Sequence, residues 1–284
     1  MTSVAVLGTG LLGTAIATRL LEQGLNVNVW NRDPSRVSPL VERGAKALED
    51  PQHAAENLQT IITVLRDGET TASVIGAVGT LHGSTVIPMG TMGVGESRKL
   101  AIQVAEQGGR YLEAPVLGSR PQALSGTLLV MAGGEAHDFK QQHTLLTHLA
   151  EQPLHVGPVG SGAATKLALN QMIASLTHCF SLSLRLIQQS GVPVETFMSI
   201  LRSSALYAPT FDKKLQRMLD QHYSDPNFST ALLRKDLRLF LEEAAAAGLQ
   251  TTGIDGLATL LEKAQEGDLD GQDYCALHEL TTLR

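Results

Sequence analysis

The segment GTGLLG at positions 8–13 places three glycines at G-x-G-x-x-G spacing, between a short apolar run and a helical pattern. In that context Gly8 permits a tight turn, Gly10 lets a phosphate approach bare backbone, and Gly13 lets the helix pack closely on the strand. The N–H groups of Leu11 and Leu12, at the start of the helix, are then expected to face the anion. The segment therefore predicts the pyrophosphate site of a dinucleotide.

A second polar segment follows the next predicted strand, where folds that take NAD usually have an acidic residue for the ribose hydroxyls. Here the strand ends in Asn31 and Arg32, with Ser35 and Arg36 just beyond. A carboxylate repels a 2′-phosphate, whereas an arginine fork and a hydroxyl bind one. These four residues predict NADP(H) as cofactor in preference to NAD(H). The alternative is that Arg32 and Arg36 only solvate a surface loop.

Lys166 and Asn170 lie four positions apart in a long helical pattern that starts in the run GSGAATKLALN at positions 160–170. Side chains at i and i+4 project from one face of a helix and can meet a common small ligand. An ammonium group there could donate a proton to a carbonyl oxygen while hydride reaches the carbon, and the amide could orient the lysine or the substrate. From spacing alone, an ordinary solvent-facing lysine is the competing interpretation.

Composition limits the class of protein. The chain has 284 residues, 43% hydrophobic and 18% charged, as in a globular protein of about two domains. The net charge of −6 argues against a main role in binding nucleic acid, and no apolar stretch is long enough to span a membrane. Its nine histidines fall at no metal-binding spacing, so no metal site is expected. Cys179 and Cys275 form no disulfide framework and the N-terminus lacks a signal pattern, so a cytoplasmic location is expected.

The first part of the chain alternates short apolar runs with helical patterns. Most of these runs are too apolar to alternate between two environments, as in strands buried on both faces of a parallel sheet. The predicted strands are Val4–Leu7, Val27–Trp30, Ile61–Leu65, Thr85–Pro88, Tyr111–Val116, Leu128–Ala132 and Leu154–Val156, with a helix over Leu12–Glu22. This pattern predicts a doubly wound α/β domain.

After about Gly160 the chain is helical throughout. The predicted helices are Ala163–Gln189, Val194–Leu201, Ala231–Ala247 and Leu257–Gln265. Ser229 or Thr230 is a potential N-cap, and Gly191 and Gly248 are potential stops. We therefore expect a nucleotide-binding domain over 1–161 and an all-helical domain over 162–284, joined by one long helix.

Four motifs together resemble one enzyme family. They are the glycine segment at 8–13, EAPVLGS at 113–119, the G-x-G-x-x-x-K-x-x-x-N run at 160–170 and KDL at 235–237. Their order along essentially the whole chain is similar to that of the β-hydroxyacid dehydrogenase family. EAPVLGS, the NR pair at 31–32 and Phe211 look most like its glyoxylate/succinic semialdehyde reductase branch. The resemblance implies a Rossmann-type domain followed by an all-α domain that forms homodimers or homotetramers.

The resemblance also implies an activity, the NADPH-dependent reduction of a small aldehyde acid to its hydroxyacid with Lys166 as general acid. Residues that match cofactor-binding positions of the family are Leu65, Arg66, Thr91 and Lys235. Residues that match its substrate region are Leu117, Gly118, Ser119 and Phe211. For Lys235 the alternative is a surface lysine, and for Phe211 it is a plain core contact.

Two departures from the family pattern concern the substrate. Leu117 stands where the family usually has a serine that helps hold the substrate carboxylate, and Gly90 replaces another serine nearby. The Gly118 N–H or the Ser119 hydroxyl could still anchor a carboxylate. Both changes affect the prediction of which substrate binds more than the prediction of hydride transfer.

Four alternatives remain at this stage. Within the enzymes, a 3-hydroxyisobutyrate-type dehydrogenase and a tartronate semialdehyde reductase share the expected site, although Arg32 disfavours an NAD-driven oxidation. An imine reductase shares the architecture but generally has another residue at the position of Lys166. From a different class, a non-catalytic NADP-binding interaction module is the alternative, against which the retention of Lys166 and Asn170 argues.

Overall fold

A computed structural model of the chain describes residues 3–56 and 59–282. Its internal contacts divide the chain into two compact units, Met1–Leu167 and Ala168–Arg284. The first unit is an α/β unit and the second is all-helical.

The α/β unit is built on one nine-stranded sheet. Its strands are β1 (Ser3–Leu7), β2 (Asn26–Trp30), β3 (Lys46–Ala47), β4 (Thr60–Thr63), β5 (Thr85–Pro88), β6 (Arg110–Glu113), β7 (Val116–Leu117), β8 (Leu129–Gly134) and β9 (Leu154–Gly157). The order begins β3-β2-β1-β4-β5-β6, all parallel. Strand β8 then pairs antiparallel with β6 and β7 and parallel with β9. The predicted doubly wound, mostly parallel sheet is confirmed.

Helices connect these strands and cover the sheet. They are α1 (Leu11–Glu22), α2 (Ser38–Val41), α3 (Gly68–Val78), α4 (Val94–Glu106), α5 (Arg120–Ser125) and α6 (Ala136–Thr147), with short 3₁₀ turns at Pro34–Arg36 and Pro51–Ala54. Strand β1 shows why both faces need cover. Val4 and Val6 belong to one buried cluster and Ala5 and Leu7 to another, because successive side chains point to opposite faces of a strand.

The helical unit is reached along α7 (Ser161–Gln189), within which the boundary between the two units falls. It continues with α8 (Val194–Arg202), α9 (Pro209–Leu219), α10 (Thr230–Ala246) and α11 (Thr252–Glu266), and with a 3₁₀ segment at Tyr274–Thr281. Ser229 caps α10 by accepting the Leu232 N–H at 3.3 Å, and Gly191 and Gly248, both at φ +71°, follow α7 and α10. In the described part of the chain no helix is long and apolar enough to cross a membrane.

The 3₁₀ segment near the C-terminus joins the two cores of the helical unit. Cys275 and Ala276 belong to a cluster with Phe180, whereas Tyr274 and Leu277 belong to a second cluster. The segment is held in place just before its first residue, where the buried Lys214 ammonium donates to both oxygens of Asp273 at 2.8 Å.

The structure corrects one predicted strand and adds elements to the pattern. Tyr111–Val116 is two strands, β6 and β7, that pair with β8 in one continuous register. Pro115 lacks an N–H and interrupts the ladder, although its carbonyl still accepts the Met131 N–H at 3.0 Å. Strand β3 and helix α9 were not predicted. Strand β3 has only two residues, both exposed, and so carries no apolar signal.

The position of His278 predicts a pH-dependent loss of stability. Its side chain is fully buried, and neither ring nitrogen has a hydrogen-bond partner among the described residues. Burial lowers the pKa of His278 from 6.5 to about 4. The unfolded state therefore binds the extra proton first as the pH falls below about 6.5, and the stability that depends on a neutral imidazole is lost progressively towards pH 4. At pH 5 this costs about 2 kcal/mol.

Chemical denaturation of wild type and His278→Leu at pH 7.5 and pH 5 measures this cost. The leucine variant should lose about 2 kcal/mol less unfolding free energy between the two pH values than wild type does. An equal loss in both proteins would show that His278 does not carry the effect.

Candidate nucleotide and catalytic site

The glycine segment turns between β1 and α1 with each glycine in a distinct environment. A Cβ on Gly8, which has φ +103°, would lie 2.4 Å from the carbonyl oxygen of Val64. A Cβ on Gly13 would lie 1.9 Å from the carbonyl oxygen of Gly8, whereas one on Gly10 would meet no described atom within 4 Å. Gly8 and Gly13 are therefore required by backbone packing, and the space above Gly10 is open.

Helix α1 begins at this turn without a side-chain cap. Its N-cap residue is Gly10, which makes no side-chain hydrogen bond, and its first turn contains no acidic residue. Two other helices of the unit have side-chain caps: Asp67 accepts the Thr70 N–H at the start of α3 at 2.8 Å, and Glu96 accepts the Gly93 N–H at the start of α4 at 2.7 Å. The N–H groups of the first turn of α1, Leu11 and Leu12 included, and the positive end of its dipole thus suit a bound anion.

Three loops meet at the carboxyl ends of β1, β4 and β5. Strand β1 is where the strand order reverses, which is the usual place for a ligand in an open parallel sheet. Leu65 lies between the glycine turn and the loop after β5, because its side chain packs near Gly8 and its carbonyl oxygen would lie 2.4 Å from a Cβ on Gly90. A serine at position 90 would therefore require the backbone here to shift. Thr91 follows at the same edge, and Arg66 is exposed and donates to Asp67 at 2.8 Å.

The loop after β2 contains a carboxylate that the sequence analysis did not consider. Asp33 caps the 3₁₀ turn by accepting the Ser35 N–H at 3.1 Å and the Ser35 hydroxyl at 2.7 Å, and its other oxygen lies 3.6 Å from Arg36 Nε. The Ser35 hydroxyl is the main reason why the pKa of Asp33 is below its usual range. Asn31 accepts the Asp33 N–H at 2.9 Å. Three of the four residues from which NADP(H) was predicted, Asn31, Ser35 and Arg36, therefore contact Asp33.

Arg32 differs from its neighbours in this loop. It is exposed, and its guanidinium makes no recorded hydrogen bond or ion pair with the described residues. Of the predicted phosphate ligands, it is the cation that is available to a 2′-phosphate.

An Asp at the N-cap position of a Pro-containing turn was the sequence signal that could have identified Asp33.

The segment after β6 ends in the three residues predicted to hold the substrate. Leu117 is half-buried, and Gly118 adopts φ +128°. Ser119 is the N-cap of α5, and Gln122 Oε1 accepts both its N–H, at 3.0 Å, and its hydroxyl, at 2.9 Å. Because Ser119 is engaged within the cap, the Gly118 N–H is the better candidate for a substrate carboxylate.

Lys166 lies in the second turn of α7 and is only 9% exposed. The solvent-facing alternative is therefore wrong. The N-terminus of the same helix contacts a buried carboxylate, Glu113, which accepts the Gly162 N–H at 2.7 Å.

One turn further along α7, in the helical unit, Asn170 belongs to a buried polar cluster. Its Nδ2 donates to Asp236 Oδ2 at 2.5 Å, and Lys235 Nζ lies 2.7 Å from the other oxygen of Asp236. The orientation of the amide is thereby fixed, and Asn170 Oδ1 is buried without a partner among the described residues. The sequence analysis gave Asp236 no role of its own, although it belongs to the KDL motif. Its position next to Lys235 was the sequence signal that could have identified it.

Phe211 lies in the core of the helical unit. It is 6% exposed and stacks on Phe180 with 4.7 Å between the ring centroids. Tyr207 contacts it edge-on at 6.4 Å. The structure thus favours the core contact, and a role as a wall of the substrate pocket stays a prediction.

A polar depression of about 490 Å³ lies elsewhere on the α/β unit. Gln59, Ser84 and Arg110, which line it, stand at the amino ends of β4, β5 and β6. Ligands of open parallel sheets bind at the carboxyl ends of the strands, so this depression is not the expected site. No group of His, Cys, Asp or Glu among the described residues could hold a metal ion.

The residues at the start of α1 fit a dinucleotide. An uncapped helix start, open space above Gly10 and a buried Thr9 hydroxyl without a partner among the described residues provide donors and room for a pyrophosphate. Together with the switch in strand order, these features define a nucleotide-binding α/β protein with an appended helical unit.

Comparison with known proteins identifies the family within this class. The family model described as NAD binding domain of 6-phosphogluconate dehydrogenase matches residues 3–157. The model described as NAD-binding of NADP-dependent 3-hydroxyisobutyrate dehydrogenase matches residues 160–281. The chain belongs to the β-hydroxyacid dehydrogenase family and is an NAD(P)-dependent oxidoreductase.

Individual relatives agree with this assignment. Glyoxylate/succinic semialdehyde reductase 1 of Arabidopsis thaliana is 33% identical over 281 residues, which are 97% of each chain. The chloroplastic reductase 2 of the same plant is 30% identical over 98% of this chain and 78% of its own. The solved structure of 3-hydroxyisobutyrate dehydrogenase from Mycobacterium tuberculosis with L-serine has a TM-score of 0.89 at 22% identity, with both chains covered to 100%. That likeness concerns the fold.

The open space above Gly10 predicts the outcome of a small substitution. Gly10 has φ −70° and ψ −170°, which alanine adopts readily, so Gly10→Ala should fold with an unchanged melting temperature. If a pyrophosphate lies there, the added methyl group should raise the Kd for NADPH and NADH by about tenfold or more, which is about 1.4 kcal/mol.

Fluorescence titration of the cofactor measures this effect. Gly256→Ala in α11, where an added Cβ also meets nothing within 4 Å, is the matched control and should leave both Kd values unchanged. Wild-type affinity in Gly10→Ala would place the pyrophosphate elsewhere.

Proposed function

We propose that the protein reduces a small aldehyde acid, such as glyoxylate or succinic semialdehyde, to its hydroxyacid with NADPH. The observation that carries this proposal is the pair on α7, a buried Lys166 one turn before an Asn170 whose amide Asp236 fixes. The two Arabidopsis relatives, named as reductases of these aldehyde acids, support the substrate class.

The proposed chemistry needs one hydride and one proton. When bound, NADPH supplies the hydride to the aldehyde carbon. The Lys166 ammonium donates a hydrogen bond to the aldehyde oxygen and then transfers its proton as the C–H bond forms, so the product is the hydroxyacid and the lysine is left neutral. Burial of Lys166 excludes water that would compete for this hydrogen bond.

Asn170 supplies an acceptor with a set direction. Because its NH₂ group donates to Asp236, its carbonyl oxygen is the part of the amide left for another donor. Because the two residues are on consecutive turns of one helix face, we assign to that oxygen the orientation of the Lys166 ammonium or of the aldehyde acid. From the family resemblance we assign Lys235 to cofactor binding; its Nζ lies 2.7 Å from Asp236 Oδ1 within the helical unit.

The preference for NADP(H) over NAD(H) rests on Arg32 and on the turn beside it. Arg32 is the exposed cation without a recorded partner, whereas Asp33 is ionised and holds Ser35. A carboxylate at this position disfavours a phosphate, so the arginine has to outweigh it. We assign Leu65, Arg66 and Thr91 to the cofactor because they lie at the same edge of the sheet as the glycine turn.

We place the substrate carboxylate at the Gly118 N–H, with Leu117 and Ser119 on either side. Leu117 offers no hydrogen bond, so the acid is held by fewer donors than a serine at this position would supply. A 3-hydroxyisobutyrate-type substrate or tartronate semialdehyde is compatible with the same groups, and the assay below separates these cases.

We further propose that the protein is a cytoplasmic homodimer or homotetramer. One side of α7 exposes four apolar or weakly polar side chains. They are Met172, Leu182 and Leu186, which are 53%, 46% and 65% exposed, and the exposed Cys179. Residues at 172, 179 and 186 repeat every seven positions, as in a helix-pairing seam. The mass of the particle in solution tests the oligomeric state.

The cytoplasmic location is supported by the two free thiols, which are consistent with a reducing compartment.

An assay of NADPH oxidation tests the proposed reaction. Wild type should turn over glyoxylate or succinic semialdehyde, and Lys166→Ala should lower kcat by about 100-fold or more because the proton donor is lost. The panel also contains tartronate semialdehyde and a cyclic imine, with 3-hydroxyisobutyrate and NADP⁺ for the reverse direction. Lys140→Ala, which removes an exposed lysine of α6, is the matched control and should keep wild-type rates. Tight NADPH binding with no turnover of any of these compounds would instead indicate a non-catalytic NADP-binding module.

Arg32→Ala tests the cofactor preference. Loss of a charge-assisted contact with the 2′-phosphate should lower kcat/KM for NADPH by about 10- to 100-fold. The value for NADH, which has no 2′-phosphate, should change by less than about threefold. Arg43→Ala, which removes another exposed arginine, serves as the control. Equal losses with both cofactors would contradict a phosphate contact.

A further inference from the structure

Glu113, the last residue of β6, is a carboxylate buried at the start of α7. Its side chain is 2% exposed, and Oε1 accepts the N–H groups of Gly160, Gly162 and Ala163 at 2.8, 2.7 and 3.3 Å. Oε2 accepts the hydroxyl of Ser97 in a short hydrogen bond. The carboxylate of Glu113 thus receives three backbone N–H donors and one hydroxyl donor at the start of α7.

Two glycines leave the room that this carboxylate needs. Gly133 is the direct partner of Glu113 in the β6–β8 pairing, and a Cβ there would lie 2.3 Å from Glu113 Oε1. A Cβ on Gly162 would lie 3.1 Å from the same oxygen and 2.5 Å from the carbonyl oxygen of Met131. Gly162 of the G-x-G-x-x-x-K-x-x-x-N run is therefore explained by the close fit around Glu113, and the start of α7 is already occupied by an internal anion.

A second layer holds the carboxylate in this orientation. Ser97, on α4, is fully buried and lies 2.7 Å from the hydroxyl of Tyr111. Since the single hydroxyl proton of Ser97 goes to Glu113, the Tyr111 hydroxyl must donate to Ser97. Burial raises the pKa of Tyr111, so this phenol keeps its proton at neutral pH. The carboxylate is thus tied to β6, α4 and α7 at once.

The backbone groups that Glu113 binds lie one helical turn before the proposed proton donor. Lys166 is four positions after Gly162, which is about 6 Å of helix rise. Holding the first turn of α7 fixes where the second turn presents its lysine. The carboxylate also offsets the positive end of the helix dipole at the first turn of α7.

We propose that Glu113 is a positioning residue for Lys166: its buried carboxylate holds the first turn of α7 against β6 and keeps a negative charge beside the turn that carries the lysine. The anchoring follows from the contacts above, and its consequence for catalysis rests on the proposed function. A neutral group of the same shape would keep most of the packing and remove the charge.

Glu113→Gln separates these two contributions, and Glu135→Gln is the matched control, an exposed glutamate at the N-cap of α6. In protein with ¹³C-labelled lysine, the NMR signal of Lys166 is identified by its loss in Lys166→Arg. Its titration midpoint should fall by about 0.5 to 1 pH unit in Glu113→Gln and stay unchanged in Glu135→Gln. Amide hydrogen exchange over residues 160–167 should become faster in Glu113→Gln.

Activity gives a second readout in the same variants. With the aldehyde acid that wild type reduces, Glu113→Gln should lower kcat by about tenfold while the KM for NADPH changes by less than about threefold, because the start of α1 is untouched. The high-pH limb of kcat should move down with the lysine midpoint.

Each outcome decides the proposal. Faster exchange with an unchanged Lys166 midpoint would show that Glu113 is only a structural cap, and unchanged exchange and midpoint would overturn the proposal altogether. If wild type turns over no compound of the panel, the proposed function fails. The NMR and exchange results then still decide whether Glu113 anchors α7 and acts on the lysine.

Discussion

The close approach of backbones at the carboxyl ends of β1, β4 and β5 is the constraint on which the nucleotide site depends. Gly13 packs directly on the carbonyl of Gly8, Gly8 on Val64, and Gly90 on Leu65, at separations that no Cβ could occupy. These contacts bring three loops to one edge of the sheet and point α1 at the space above them. Because the glycines that pack are distinct from the glycine that faces open space, the segment serves both structure and ligand binding.

The helices of the α/β unit differ in what binds the N–H groups of their first turns. Asp67 and Glu96 cap their helices locally, and Glu113 caps α7 from a strand more than forty positions earlier in the chain. Helix α1 has no such partner. The start of α7 is thereby occupied by a carboxylate of the chain itself, whereas the N-cap residue of α1 makes no side-chain hydrogen bond.

The departures from the family pattern have different physical origins. Glycine at position 90 is required by the carbonyl of Leu65. Leu117, which lies half-buried at the end of β7, shows no comparable backbone contact. The loop after β2, from which the NADP(H) preference was predicted, places the exposed Arg32 next to the oppositely charged Asp33.

Local pattern alone determined most of the architecture: the apolar runs predicted the central strands, the glycine spacing predicted the turn before α1, and the i, i+4 pair predicted that Lys166 and Asn170 share one helix. These features depend on residues close in sequence, whose geometry is set by the backbone period. Only the tertiary structure showed that Pro115 divides a predicted strand, that Phe211 lies in a core, and that Asp236 fixes Asn170. The role of Glu113 was equally hidden, because a carboxylate that caps a helix from a distant strand leaves no local spacing to detect.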